Sequence, residues 1–193
     1  RAERGIDTQK LRERVESIIK MLSEQQEETV KMTRIRNDAN YILNHTVNMT
    51  LLSVHLGREL GFSRRELLEL GLGCMLHDIG MTAIPDRLLE KEGSLTDQEY
   101  KVIQSHPLYK EELLEATQGL SYFARSVVLQ HHERVDGSGY PEGLKNGEIS
   151  KFARVAAVAD SYEAMVSPRV YRDRKTSYEA MQIIIQDAGH KNW

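Results

Sequence analysis

The chain has 193 residues, 40% hydrophobic and 28% charged, and its 26 Lys and Arg nearly balance 29 Asp and Glu for a net charge of −3. That is enough apolar material for one sizeable core, while no stretch approaches the run of about 18 apolar residues that a membrane span needs and the N-terminus lacks the pattern of a secretion signal. A pI near 6.2 offers no basic face for counterion release, which excludes a broad nucleic-acid binder, and the lone Cys74 excludes a disulfide framework and suits a reducing cytoplasm.

Pro85, Pro107, Pro141 and Pro168 are separated by long segments of helical periodicity without strand-like alternation, so the expected class is all-α. The first helical stretch runs over roughly 8–60, with a break allowed inside it. Its seam reads Leu11, Val15, Ile18 and Leu22, then polar Gln25 and Thr29, then Met32, Ile35, Ala39 and Ile42. Such spacing fits a parallel, dimerising signalling helix, and equally an amphipathic helix folded on its own core. With Arg rather than Met at position 1, an upstream regulatory domain is expected. Residues 1–40 are then a signalling or dimerisation helix, with a homodimer as the expected partner state, and 41–193 are the functional domain.

Further along, Ser63 with Glu66, Thr96 with Glu99 and Thr176 with Glu179 each set a hydroxyl acceptor three residues ahead of a reciprocating carboxylate, the capping box that opens a helix. With Ser121 and Ser150 as simpler N-caps, helices are predicted over about 63–78, 97–105, 108–116, 122–132, 151–166 and 177–188, the last closed by Gly189. Gly71 and Gly73 follow no strand and so read as points of close helix packing rather than a phosphate-binding loop.

The chemistry resides in histidines and aspartates at helix ends. His77 and Asp78 close an apolar helix just before Gly80, and adjacent helical residues diverge by about 100°, so both reach one ion only at a helix terminus. His106 precedes Pro107 and is pushed out of helical geometry. His131 and His132 precede a Gly-rich loop, His45 lies on an earlier helix and Asp160 in an Ala/Val-rich one. Five imidazoles and two carboxylates suit two borderline transition ions, with a carboxylate able to bridge them. A zinc finger is excluded because Cys74 is the only thiolate. His55 and His190 are assigned surface or packing roles.

HDIG, HHERVDGSGYP, ARVAAVAD and PRVYR stand in the order and spacing of the HD-GYP domain, which the chain resembles over roughly residues 41–190. The resemblance implies a helical bundle of the HD type with a two- or three-metal centre that hydrolyses cyclic di-GMP to pGpG or GMP. By the same resemblance, His45, His77, Asp78, His106, His131, His132 and Asp160 are metal ligands, Asp78 bridges and acts with His77 in catalysis, and Arg169 and Arg172 hold substrate phosphate. Iron or manganese is the expected metal, with nickel or zinc as alternatives. Chemically the assignment is coherent, since two cations about 3.5–4 Å apart can activate a water and offset the charge of a phosphodiester, and two arginines three residues apart can clamp a phosphate. Tyr140 offers an aromatic face to a base or to a protein partner, or belongs to a rigid covering loop.

Three departures qualify the resemblance. Tyr41 stands where the family often has a glutamate ligand for a third metal, so two metals are expected; Met81 replaces the lysine of HDIGK; and Glu163 replaces the usual second aspartate after VAD. Three readings follow: an active but slow cyclic di-GMP phosphodiesterase, a metal-holding module that senses the nucleotide or signals through the GYP loop, and a phosphohydrolase for another nucleotide.

Overall fold

A computed structural model describes residues 6–25, 41–89, 91, 93–109, 111–167 and 174–189. The helices are α1 Thr8–Glu24, α2 Tyr41–Glu59, α3 Arg64–Leu76, α4 Asp86–Leu89, α5 Asp97–Gln104, α6 Glu111–Ala116, α7 Tyr122–Gln130, α8 Lys151–Val166 and α9 Ser177–Gly189. No strand occurs among the described residues, only an isolated bridge between Asp136 and Lys145. The all-α expectation holds, and the predicted boundaries agree within a few residues. The one-turn α4 and the 3-10 turns Ile79–Ala83, His106–Leu108 and Asn146–Glu148 carry too short a pattern to be predicted.

The helix starts are where their caps put them. Ser63 and Glu66 form a reciprocal capping box, as do Thr96 and Glu99. Thr176 and Glu179 exchange the same pair of bonds. Ser121 and Ser150 accept from Ala124 and Phe152 amides, as simple N-caps do.

α3 is the axis of the bundle and packs against α1, α2, α7 and α8. Nearly every residue from Leu67 to Leu76 is buried, because neighbours surround the helix on all sides. Gly73 faces α7 so closely that a Cβ there would stand 2.7 Å from the Ala124 carbonyl oxygen, which supports its reading as a packing point. Two apolar clusters flank α3. One joins Val15, Ile18, Ile19 and Leu22 to Leu51, Leu72, Leu76 and Val128. The other joins Met49, Leu70, Cys74 and Val127 to Phe152 and Ala156.

Over its described residues α1 follows the second of its two readings, an amphipathic helix folded on its own core. Val15, Ile18 and Leu22 are buried in the chain's own core, with Val15 seated in the notch left by Gly71, where a Cβ would come within 2.4 Å of its Cγ1. Each such side chain contributes roughly 1.5–3 kcal/mol by burial, against about 0–1 kcal/mol for an exposed ion pair such as Lys20–Glu24. The apolar face therefore docks α1 onto α3. The helix ends at Gln25, and the rest of the seam, Thr29 to Ala39, lies outside the described residues.

Candidate metal centre

Five segments bring their functional side chains to the C-terminal end of α3. His45 comes from the first turns of α2, His77 caps α3 and Asp78 follows it. His106 opens the 3-10 turn after α5, with Pro107 next in line as the sequence requires. His131 caps α7, His132 follows, and Asp160 projects from α8. Gly80 makes the convergence possible: a Cβ there would lie 1.8 Å from the His106 carbonyl oxygen, so only glycine lets the two 3-10 turns touch.

All seven expected ligands meet, in two groups. Asp78, His106, His131 and His132 form one and His45, His77 and Asp160 the other, with the donor atoms of each group within 4.8 Å of one another. Asp78 faces both. Its Oδ1 is 3.2 Å from His106 Nε2 and 3.9 Å from His131 Nε2, while its Oδ2 is 3.2 Å from His77 Nε2 and 3.9 Å from His45 Nε2. Asp160 Oδ1 lies 3.2 Å from His45 Nε2. The five other members are buried, whereas Asp78 and His132 are only partly covered, so the cluster opens on their side.

Three imidazoles are tied back through Nδ1, with Nε2 turned into the cluster. His77 Nδ1 donates to the Cys74 carbonyl and His106 Nδ1 to that of Ile103, both at 2.8 Å, and His131 Nδ1 donates to Val127 and Val128 at 3.1 and 3.0 Å. This fixes the tautomer that points a lone pair into the cluster. Consistently, His106 Nε2 and His131 Nε2 are buried without a hydrogen-bond partner, a costly state unless something electrophilic takes the lone pairs. Burial first, then neighbouring imidazoles, holds His131 and His132 well below the ordinary histidine range, so both are neutral. Burial would raise Asp78 and Asp160, but the facing histidines, His77 for Asp78 and His45 for Asp160, overcome it and keep both below the ordinary carboxylate value. Despite burial, Asp78 in turn pushes His77 above its ordinary value, so a divalent ion taken up on that side would displace a proton. The cluster is thus able to bind metal.

Two carboxylates act around it in ways the sequence did not reveal. Glu163 is buried and accepts from His45 Nδ1 at 2.5 Å, from Asn48 Nδ2 at 3.1 Å and from the Ser167 hydroxyl. Despite burial, the Asp160 and Glu163 contacts push His45 up to about 10. Glu163 follows Asp160 by one helical turn, which was visible, but its partner is 118 positions away, which was not. Glu133 is buried and accepts from three amides of the Gly-rich loop, at Glu142, Gly143 and Leu144. No spacing rule connects an acid to amides nine to eleven residues on.

Tyr140 is stacked on His132 with ring centroids 4.5 Å apart and planes 28° apart. Met81 is half-buried in the turn after Gly80. His55 is ten residues beyond His45, about 15 Å along α2, and stands apart from both ligand groups. Arg169, Arg172, His190 and the Tyr41 side chain lie outside the described residues.

The HD domain family matches residues 10–192. The chain belongs to that family, in its HD-GYP branch. It is 34% identical over 186 residues to a cyclic di-GMP phosphodiesterase of Pseudomonas aeruginosa, covering 96% of this chain and 45% of the relative. A cyclic di-GMP phosphodiesterase of Thermotoga maritima is 40% identical over 141 residues, 72% of this chain and 38% of its own length. The chain therefore spans less than half of these curated relatives. A solved HDG"Y"P protein of Bdellovibrio bacteriovorus superposes with a TM-score of 0.78 over 94% of this HD-GYP chain and 58% of its own, at 20% identity, a likeness of fold. No helix among the described residues is long and apolar enough to cross a membrane.

Proposed function

We propose that this HD-GYP chain hydrolyses cyclic di-GMP to pGpG, GMP or both, at a binuclear metal centre formed by His45, His77, Asp78, His106, His131, His132 and Asp160. The observation that carries this reading is the placement of Asp78, whose Oδ1 faces His106 and His131 while Oδ2 faces His77 and His45. One carboxylate thereby joins the two ligand groups, which supports its role as the bridge. Two divalent ions bound there would supply Lewis acidity and a nucleophilic water for in-line attack on the phosphodiester.

The residues have distinct tasks. Asp78 holds the two halves in register and, at the partly open side, presents the reaction centre to substrate. Glu163 keeps His45 oriented through Nδ1, which leaves Nε2, beside Asp160, for the metal. Tyr140, backed by His132, offers its ring to a guanine base. Arg169 and Arg172 are assigned the phosphates. Two ions are favoured over three: a tyrosine at position 41 would have to lose a proton of pKa about 10 to ligate, and both Glu163 oxygens are already engaged by His45, Asn48 and Ser167. Mixed imidazole and carboxylate donors suit iron or manganese, with nickel or zinc as alternatives. A cytoplasmic setting fits this substrate. Residues 1–40, through α1, are assigned the relay from an upstream domain to the unit 41–193, with a homodimer and a partner at the GYP loop as parts of the same signalling arrangement.

Met81 favours a second reading. A thioether cannot offer charge to a phosphate, so the chain could hold the nucleotide and signal by occupancy. Both readings are tested by incubating purified protein, loaded with Mn(II) or anaerobic Fe(II), with cyclic di-GMP and with other cyclic dinucleotides, and resolving products by chromatography. Formation of pGpG or GMP from cyclic di-GMP is expected. Tight binding without turnover in any metal form would establish the sensor, and preferential cleavage of another dinucleotide would reassign the substrate. Elemental analysis should give two ions per chain.

A further inference from the structure

The Gly-rich loop of this HD-GYP chain is held from beneath by Glu133. Its Oε1 accepts from the amides of Glu142 and Gly143 at 2.7 and 3.2 Å, and its Oε2 from Leu144 at 3.0 Å. Glu133 is 3% exposed, so these three successive amides enclose a buried carboxyl group as a backbone nest does. The loop is pinned at its neck by the Asp136–Lys145 bridge and by amides of Gly137 and Asn146 on the carbonyls of Arg134 and Val135. Its other limb lies flush on the ligand segment. A Cβ on Gly139 would fall about 2.5 Å from Glu133 Cα and from the His132 carbonyl oxygen, and Tyr140 N donates to that same carbonyl at 3.2 Å. The Tyr140 ring then covers His132, at the partly open side of the cluster.

We infer that Glu133 is a positioning residue that, by clamping Glu142–Leu144, fixes Tyr140 against His132 and so sets how tightly the cyclic dinucleotide is held rather than how fast it is cleaved. The inference rests on the proposed function for its substrate. The division between holding and cleaving follows from how the ligands are supported. His131 is oriented by the α7 carbonyls of Val127 and Val128 and His77 by the Cys74 carbonyl, with no contribution from the loop. Tyr140, in contrast, has its ring placed only as well as the loop is closed. Removing the carboxylate would leave three amides in a closed loop without an acceptor, which favours opening of that limb to water.

The test is a series in the Mn(II)-loaded chain: Glu133→Ala, Glu133→Gln, Tyr140→Ala and the double variant Glu133→Ala with Tyr140→Ala. Hydrogen exchange at the amides of Glu142, Gly143 and Leu144 should accelerate at least about tenfold in Glu133→Ala, with α7 and α8 unchanged. KM for cyclic di-GMP should rise about tenfold or more, with kcat within about threefold and metal content unaltered. Glu133→Gln keeps one acceptor oxygen and should fall between. The double variant should be no worse than Tyr140→Ala alone, because both act through one ring. Unchanged exchange at the three amides, additive effects in the double variant, or a fall in kcat that tracks metal loss would overturn the inference. Should Glu133→Ala not fold, Glu133→Gln and Tyr140→Ala carry the same comparison. Exchange and cyclic di-GMP affinity are read without turnover, so a chain that does not hydrolyse cyclic di-GMP would refute the proposed function and leave this inference to be decided by binding.

Discussion

At the scale of single residues, Glu163 shows how a side chain outside the ligand set can govern it. It accepts from His45, Asn48 and Ser167 in a buried site, so Glu163→Ala would strand three donors and release the His45 ring. We expect metal affinity to fall about 10- to 100-fold, the usual effect of losing an outer carboxylate, with the helical signal retained; competition with a chromophoric chelator measures it, and unchanged affinity would dismiss the role. Met81 makes the opposite prediction. Restoring a cation by Met81→Lys should raise single-turnover hydrolysis about 10- to 10²-fold, by analogy with recovering one charge-stabilising donor. No gain in rate would show that residue 81 does not meet the phosphate. Five of the seven clustered residues stand in HD, HH and HP dipeptides at helix ends, while His45 and Asp160 joined them only as further His and Asp on helices and through the resemblance to the HD-GYP domain. Glu163 and Glu133 were not legible, because their partners are set by tertiary contact and leave no periodic trace.

At the scale of elements, the capping boxes were readable from local sequence, and they have a pH signature. Glu66 is drawn down to about 2 first by Lys151 and then by Ser63, and Glu99 to about 2 by Lys91 and then Thr96. Their folded values lie below the ordinary glutamate value of 4.5, so their contribution is complete above it and is lost as pH falls toward 2. The combined Glu66→Gln and Glu99→Gln variant should therefore lose less Tm than the parent between about pH 5 and pH 2.5; parallel Tm profiles would contradict this. α1 was legible as an amphipathic helix but not in its partner, since a seam of Leu, Val and Ile spaced three and four apart fits another copy or the chain's own core equally well. What decided it is non-local: the Gly71 notch that receives Val15, and polar latches beyond the seam, where Arg12 approaches Glu69 at 3.5 Å and donates to the Gly119 carbonyl at 2.6 Å. Glu69 in turn accepts from Ser121, the N-cap of α7, at 2.5 Å. α1 is thus latched, through Glu69 and the Gly119 carbonyl, to the segment that opens α7, the helix whose end carries His131 and His132.

At the scale of the whole molecule, the bundle converges on a cluster that is electrostatically costly by itself. His45, His77, His106, His131 and Asp160 are buried together, two imidazole Nε2 atoms have no hydrogen-bond partner, and the surrounding helices come from both halves of the chain. A ligand that binds only this assembled state must stabilise the fold, by about 2.7 kcal/mol when present at a hundred times its dissociation constant. For a chain of this size, about 2–4 °C of Tm accompanies each kcal/mol. Protein stripped by chelator should therefore melt roughly 5–10 °C below the same protein saturated with Mn(II). The Asp78→Ala variant separates the bridge from ordinary ligation. If one carboxylate serves both groups, its loss should abolish most of the metal-dependent shift, whereas His106→Ala, which touches one group, should keep part of it. Calorimetry with and without Mn(II) decides the matter: equal shifts in parent and Asp78→Ala protein would remove Asp78 from the centre of the assembly. No difference between stripped and loaded parent would mean that the seven residues do not take up Mn(II) at all.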